Sequence, residues 1–171
     1  MRKPSEECIA ELVDYKQECL KVNGHIHGSN GIHKYETVED WIKQIHLCER
    51  NETTPTDLVT ADQYMLVREG DKRILGMINF RHNLGNSGSY LDEFGGHIGY
   101  SVRPSEWRKG YATAMLSLCL ERCRELGLNR VLLTCVPDNE ASRKTIISCG
   151  GKFERLATSE KEVLERYWIE L

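Results

Sequence analysis

The stretch Val102 to Ala114, V-R-P-S-E-W-R-K-G-Y-A-T-A, constrains this chain more than any other. It follows an alternating apolar run, His97 to Val102, and leads into an amphipathic one, Ala112 to Leu126. The pattern therefore reads as strand, short basic loop, helix start. A helix start leaves backbone N–H groups with no partner in the first turn, and its dipole adds positive potential there. Arg103, Arg108 and Lys109 add full charges, and Gly110 suits a position where a Cβ would hold a ligand off the backbone. Local physics leaves two readings open: a phosphate or pyrophosphate site, or an ordinary βα turn with solvated charges.

The flanking segments supply the frame. Ser5 to Val22 has helical apolar spacing with Ser5 placed to cap it, and Thr37 to Cys48 repeats the pattern with Thr37 as the cap. Between them, Asn23 to Tyr35 (N-G-H-I-H-G-S-N-G-I-H-K-Y) reads as an irregular, flexible loop placed to contact a substrate. Its histidines, His25, His27 and His33, lack a carboxylate or cysteine to complete a ligand pattern, and no metal is expected. Gln63–Arg68 and Arg73–Arg81 read as a hairpin around Glu69-Gly70-Asp71-Lys72. Asn83–Gly96 is a glycine-rich loop, expected to be mobile. Arg130–Val136 reads as a buried strand, so that strand, helix and strand form a parallel βαβ crossover. A helix over Glu140–Ser148 and strands at Lys152–Leu156 and Arg166–Leu171 close the chain.

Composition narrows the classes. A net charge of −3 gives no global field for nucleic acid, so any anion site has to be local. No apolar run reaches the length of a membrane span, and the N-terminus has no signal-peptide pattern, so a cytoplasmic protein is expected. The seven cysteines are odd in number and include no C-x-x-C, so neither disulfides nor a zinc site is indicated. Cys119 and Cys123 read as small buried hydrophobes.

Two blocks carry a resemblance. Trp107-Arg108-Lys109-Gly110-Tyr111-Ala112 is similar to the Q/R-x-x-G-x-G/A signature of the GNAT superfamily of acyl-CoA-dependent N-acyltransferases. Asn139-Glu140-Ala141-Ser142 through Ile146, then Gly150-Gly151, resembles that family's later N-x-x-S block. The resemblance implies an α/β fold: a mixed, mostly antiparallel sheet with a splayed central parallel strand pair and helices on both faces. It implies one acyltransferase domain over 1–171, in which 1–62 supplies the N-terminal helices and an acceptor-side loop and 63–171 the cofactor-binding core.

The implied co-substrate is acetyl-CoA, with no metal. Its diphosphate would lie on the N–H groups of Arg108, Lys109, Gly110, Tyr111, Ala112 and Thr113, and its pantetheine arm along Ser101, Val102 and Arg103. Asn139 and Ser142 would contact it from the other side, with Lys144 or Arg143 near the adenosine phosphate. The implied reaction is direct attack of a primary amine of a small molecule, peptide or protein on the thioester, without nucleic-acid or membrane partners. An acyl-CoA-binding sensor without catalysis is the alternative, and exposed strand edges near the C-terminus permit a homodimer.

An amine must lose a proton to attack, so a base is required. His97 stands where many relatives carry a glutamate and is the first candidate; Glu93 is the second. The family's tyrosine acid is replaced here by Ile146, which leaves Tyr111 or Tyr167 to protonate the departing thiolate.

Overall fold

The computed structural model describes residues 1–171. Helices α1 (Ile9–Val22) and α2 (Val38–Leu47) come first, followed by strands β1 (Ala61–Val67), β2 (Ile74–Arg81) and β3 (Ile98–Val102). Helix α3 (Tyr111–Glu125), strand β4 (Arg130–Cys135), helix α4 (Glu140–Ser148) and strands β5 (Lys152–Thr158) and β6 (Val163–Glu170) complete the chain. The strands make two three-stranded antiparallel sheets, ordered β1-β2-β3 and β4-β6-β5. No helix is long and apolar enough to cross a membrane.

Period-two alternation decides which side of each sheet is covered. Tyr64, Ile78, Phe80 and Ile98 of the first sheet, with Val131, Leu133, Tyr167 and Ile169 of the second, point to one common face. There Met115, Leu116, Cys119, Leu120 and Cys123 of α3 and Ile146 of α4 cover both sheets. Met65, Ile74 and Met77 point the other way, into a second cluster with Leu12 and Tyr15 of α1 and Trp41, Ile42 and Ile45 of α2. Thr37 caps α2 as its sequence position suggests, accepting from the Asp40 N–H at 3.1 Å. All seven cysteines are free, and Cys119 and Cys123 are fully buried.

The junction between the sheets shows how the parallel strand pair of the βαβ crossover is splayed. β3 and β4 share no ladder. One backbone bond joins them, from the His97 N–H to the Leu132 carbonyl at 2.8 Å, just before β3 begins. Beyond it the two strands part, and a slit opens toward the C-terminal end of β3. Its far end is bridged by Tyr100 Oη, which lies 2.9 Å from Ser142 Oγ and 3.4 Å from the Ser142 carbonyl.

Two segments expected to be loose are tied down. Residues 26–29 cross the face of β3 opposite α3, and each of their carbonyls is held by a side chain. Ser29 Oγ donates to Ile26 (2.7 Å), Ser101 Oγ to His27 (2.6 Å), Gln63 Nε2 to Gly28 (2.9 Å) and Trp41 Nε1 to Ser29 (2.7 Å). Within Asn83–Gly96, residues Leu91–Gly95 form a π-type turn. That turn packs on the second sheet, with Thr134 Oγ1 donating to the Phe94 carbonyl at 2.6 Å. An isolated antiparallel bridge joins Arg2 to Met65 beside β1.

Candidate functional site

The site is built at the mouth of the slit, where β3 turns into α3. Pro104–Glu106 makes a single 3₁₀ turn, and Gly110 caps α3 in the left-handed region (φ +79°). With no side chain to cap the helix, its first amides are left open. The N–H groups of Arg108, Lys109, Gly110, Tyr111, Ala112 and Thr113 have no acceptor within the protein, and the first helical bond is Ala114 N–H to the Gly110 carbonyl at 3.1 Å. Arg108 also takes a left-handed backbone (φ +61°), so the loop curls just before the helix start. A Cβ built on Gly110 would meet nothing within 4 Å, so the cradle is open to solvent.

The cations around this loop divide into two groups, which corrects part of the expected anion cluster. The Arg103 side chain points inward, fully buried, with Nε on the Ile74 carbonyl (2.6 Å) and Nη1 on Asp14 (2.8 Å) and Glu18 (2.7 Å). Burial opposes the charge on Glu18, but the Ser105 N–H and Arg103 bring its pKa down to about 2. Arg103 is therefore a structural cation that ties β3 to α1, not a phosphate ligand. The buried carboxylate of Glu106 gathers Lys109 (2.8 Å), Arg68 (3.3 Å) and Arg73 (3.6 Å), which fixes the turn from below. Arg108 has no carboxylate partner and is exposed.

Along the slit, the β2–β3 register turns Ser101 toward Met77, so the backbone groups of Tyr100 and Val102 face the open edge. Trp107 Nε1 reaches back to the Val102 carbonyl at 2.8 Å. On the far lip, Asn139 Oδ1 caps α4 by accepting from the Ser142 N–H (3.0 Å), so its side chain is committed locally. Lys144 pairs with Glu140 on the exposed face of α4 (3.1 Å), and Arg143 pairs with Glu165 (2.7 Å). Tyr100, a slit residue that the sequence reading did not single out, keeps its phenol proton because burial pushes its pKa up to about 12.

The candidate bases and acids are held differently from expectation. His97 is buried, and its Nδ1 accepts from the Leu132 N–H at 2.9 Å. The remaining ring proton therefore sits on Nε2, and taking up another proton would break the bond that joins the sheets. Burial, and then the Arg81 charge, push its pKa down to about 4. This arrangement makes His97 a clasp between β3 and β4, not the poised base its position suggests. Glu93 is not a free acid in a mobile loop: it pairs with Arg155 at 2.6 Å. Tyr167 is enclosed and donates to Glu165 at 2.8 Å; burial and that carboxylate push its pKa up to about 12. Tyr111 opens α3 and is half-buried. Ile146 is fully buried in the core.

The clasp carries a pH prediction. Because His97 has a folded pKa below its unfolded value of ~6.5, the unfolded chain binds the extra proton between about pH 4 and 6.5. Its contribution is complete above ~6.5 and is lost as pH falls toward 4, by on the order of 2–3 kcal/mol. Urea unfolding of His97→Ala should show a loss of ~1–3 kcal/mol at pH 7.5, from the orphaned Leu132 N–H, and a flatter pH dependence below 6.5. Equal stability at pH 7.5 would remove the clasp.

Comparison with known proteins places this geometry. Residues 2–152 match the family described as the acetyltransferase (GNAT) domain. An uncharacterized N-acetyltransferase, YoaA of Bacillus subtilis (strain 168), is 31% identical over 88 residues. That match covers 51% of this chain and 46% of the relative, so the chain aligns with less than half of it. Among solved structures, the ribosomal-protein-S5-alanine acetyltransferase of Vibrio fischeri superposes with a TM-score of 0.74 at 18% identity, covering 99% of this chain and 91% of that one. The microcin C7 self-immunity acetyltransferase MccE, in complex with acetyl-CoA and AMP, superposes with a TM-score of 0.70 at 18% identity, covering 98% and 89%. At such identities these structures establish the fold, and the family match establishes the family: the chain belongs to the GNAT acetyltransferases.

Proposed function

We propose that this enzyme moves an acetyl group from acetyl-CoA to a primary amine of a small molecule, peptide or protein, by direct attack while both are bound. The observation that carries the reading is the run of six unpartnered amides from Arg108 to Thr113 around the open Gly110. Six adjacent donors with no acceptor fit a diphosphate better than they fit bulk water, since the helix dipole adds to them. Acetyl-CoA would then run its pantetheine arm into the slit, beside the outward backbone groups of Tyr100 and Val102.

In this arrangement Arg108 lends charge at the rim of the cradle, while Lys109, paired with Glu106, and Arg103 act by holding the turn and β3 in place. The Val102 N–H is the donor for the oxygen that becomes negative during attack. Holding both reactants across one slit lowers the entropic barrier to the attack. A thiolate with pKa near ~8.5 leaves with little help, so no dedicated acid is assigned to the enclosed Tyr167 or to Tyr111. Ser142, Asn139 and Lys144 lie on the far lip, where they flank the entrance rather than the thioester.

Isothermal calorimetry with acetyl-CoA, followed by CoA release across a panel of primary amines, tests the reading. Binding with turnover on at least one amine supports it. Binding without turnover across a broad panel would favour an acyl-CoA sensor, and absence of binding would remove the site from the slit.

A further inference from the structure

Four consecutive carbonyls held by side chains from three different elements and the loop itself are far more than a connecting loop needs. Ile26 to Ser29 are bound by Ser29, Ser101, Gln63 and Trp41, and Gly28 lies directly on the Gly99–Tyr100 backbone. What this anchoring holds in place is a pair of imidazoles. His25 Nε2 and His27 Nε2 lie 2.6 Å apart with their rings edge to face, so one nitrogen donates and the other accepts. The His27 carbonyl sits on Ser101 Oγ, whose hydroxyl is also 3.0 Å from Tyr15 Oη, and Ser101 lies between the two residues that face the slit. The third histidine is committed elsewhere: His33 Nδ1 accepts from the Ile26 N–H at 3.3 Å.

We propose that His27, coupled to His25, is the base that takes the proton from the acceptor amine, in the place the sequence gives to His97. The inference rests on the acetyltransferase reading above. The amine nitrogen attacks the thioester carbonyl carbon, the C–N bond forms, and the C–S bond breaks with its electron pair on sulfur. The proton carried by the nitrogen passes to His27 Nδ1. His25 Nε2 keeps accepting from His27 Nε2–H throughout, and once the amide has formed His27 Nδ1 gives its proton to water while the thiolate takes one from water, so both rings end in the tautomers they began in. No proton is left over, and the His97 clasp is untouched.

The charged and titratable groups around His27 are few. They are His25 and His33 in its own loop, with Lys34 beside His33, Tyr15 and Lys16 of α1, and the uncharged Ser101 of β3. No carboxylate faces the pair. The His27 ring is exposed, and partial desolvation, then the neighbouring His25 and His33, hold its pKa below the ordinary value. The ring is thus neutral, and able to accept, at neutral pH.

The test uses the whole chain, first without any acceptor. In histidine ¹H–¹⁵N NMR the His27 titration should move toward that of an ordinary imidazole when His25 is replaced in His25→Gln. A His27 titration that is the same in His25→Gln as in the wild type would overturn the pairing. Then, on an amine that the wild type acetylates, His27→Gln should lower kcat by ~100-fold at pH 7. Its acetyl-CoA affinity should be unchanged, its rate should rise with pH as the amine loses its own proton, and added imidazole should restore part of it. His27→Gln with wild-type kcat and pH profile would overturn the proposal while leaving acetyl-CoA binding, and so the acetyltransferase reading, intact. Loss of acetyl-CoA binding in the wild type itself would instead strike that reading, and the NMR titration would still judge the pair.

Discussion

Gly110→Glu is expected to weaken acetyl-CoA binding by at least ~100-fold, read by calorimetry, with only a small loss of folding stability. Two effects act together. The carboxylate would place a negative charge in the cradle, where a diphosphate meets the open amides of Arg108 to Thr113, and like charges in a shared site repel strongly. The added side chain would also fill the space that a ligand needs, since a Cβ at this position meets no protein atom within 4 Å. The same openness means the protein itself suffers no clash, and only the left-handed backbone (φ +79°) adds strain, on the order of 1 kcal/mol. Gly110→Ala separates the two effects: it carries the strain without the charge and should cost much less affinity. Unchanged affinity in the glutamate variant would move the diphosphate away from this turn.

Gly28→Ala should have the opposite profile: a large loss of stability, ~3 kcal/mol or more, with loss of turnover following from it. A Cβ on Gly28 would lie 2.3 Å from both the Gly99 carbonyl oxygen and the Tyr100 Cα, and these backbone atoms cannot rotate away. The residue also sits at φ +63°, which a Cβ disfavours. To relieve the clash, the 26–29 segment must lift from β3, and the bonds from Ser101 and Gln63 to the His27 and Gly28 carbonyls then open. Chemical unfolding measures the stability loss, and acetyl-CoA calorimetry should show that the cradle, more remote in the fold, still binds in the fraction that remains folded. A variant as stable as the wild type would contradict the close approach of this loop to the strand.

Most elements were legible from local patterns. Helical spacing located α1 and α2, the hairpin turn located β1 and β2, and the Val102–Ala114 stretch marked the β3-to-α3 turn within a residue or two. These were readable because their determinants are close in sequence: a cap, a glycine, an apolar period. The roles of individual charged side chains were not. Arg103 is five residues from Arg108 and of the same type, yet it is buried against Asp14 and Glu18, about ninety positions upstream. His97 carries the right chemistry for a base, but the Leu132 N–H consumes its lone pair. The loop at Asn23–Tyr35 has the composition of a flexible segment, yet Gln63, Trp41 and Ser101, all distant in sequence, anchor its carbonyls.

By itself, then, the sequence determined the order of elements, the open helix start at Gly110 and the family to which the chain belongs. Those depend on backbone propensity and on donors that are neighbours along the chain, so the order of residues already contains them. Only the tertiary structure decided which charges remain available, that β3 and β4 part beyond His97, and that His25 and His27 come to rest together over the sheet. Whether a polar group stays free depends on the partner that folding brings within ~3 Å, and that partner stands far away in sequence.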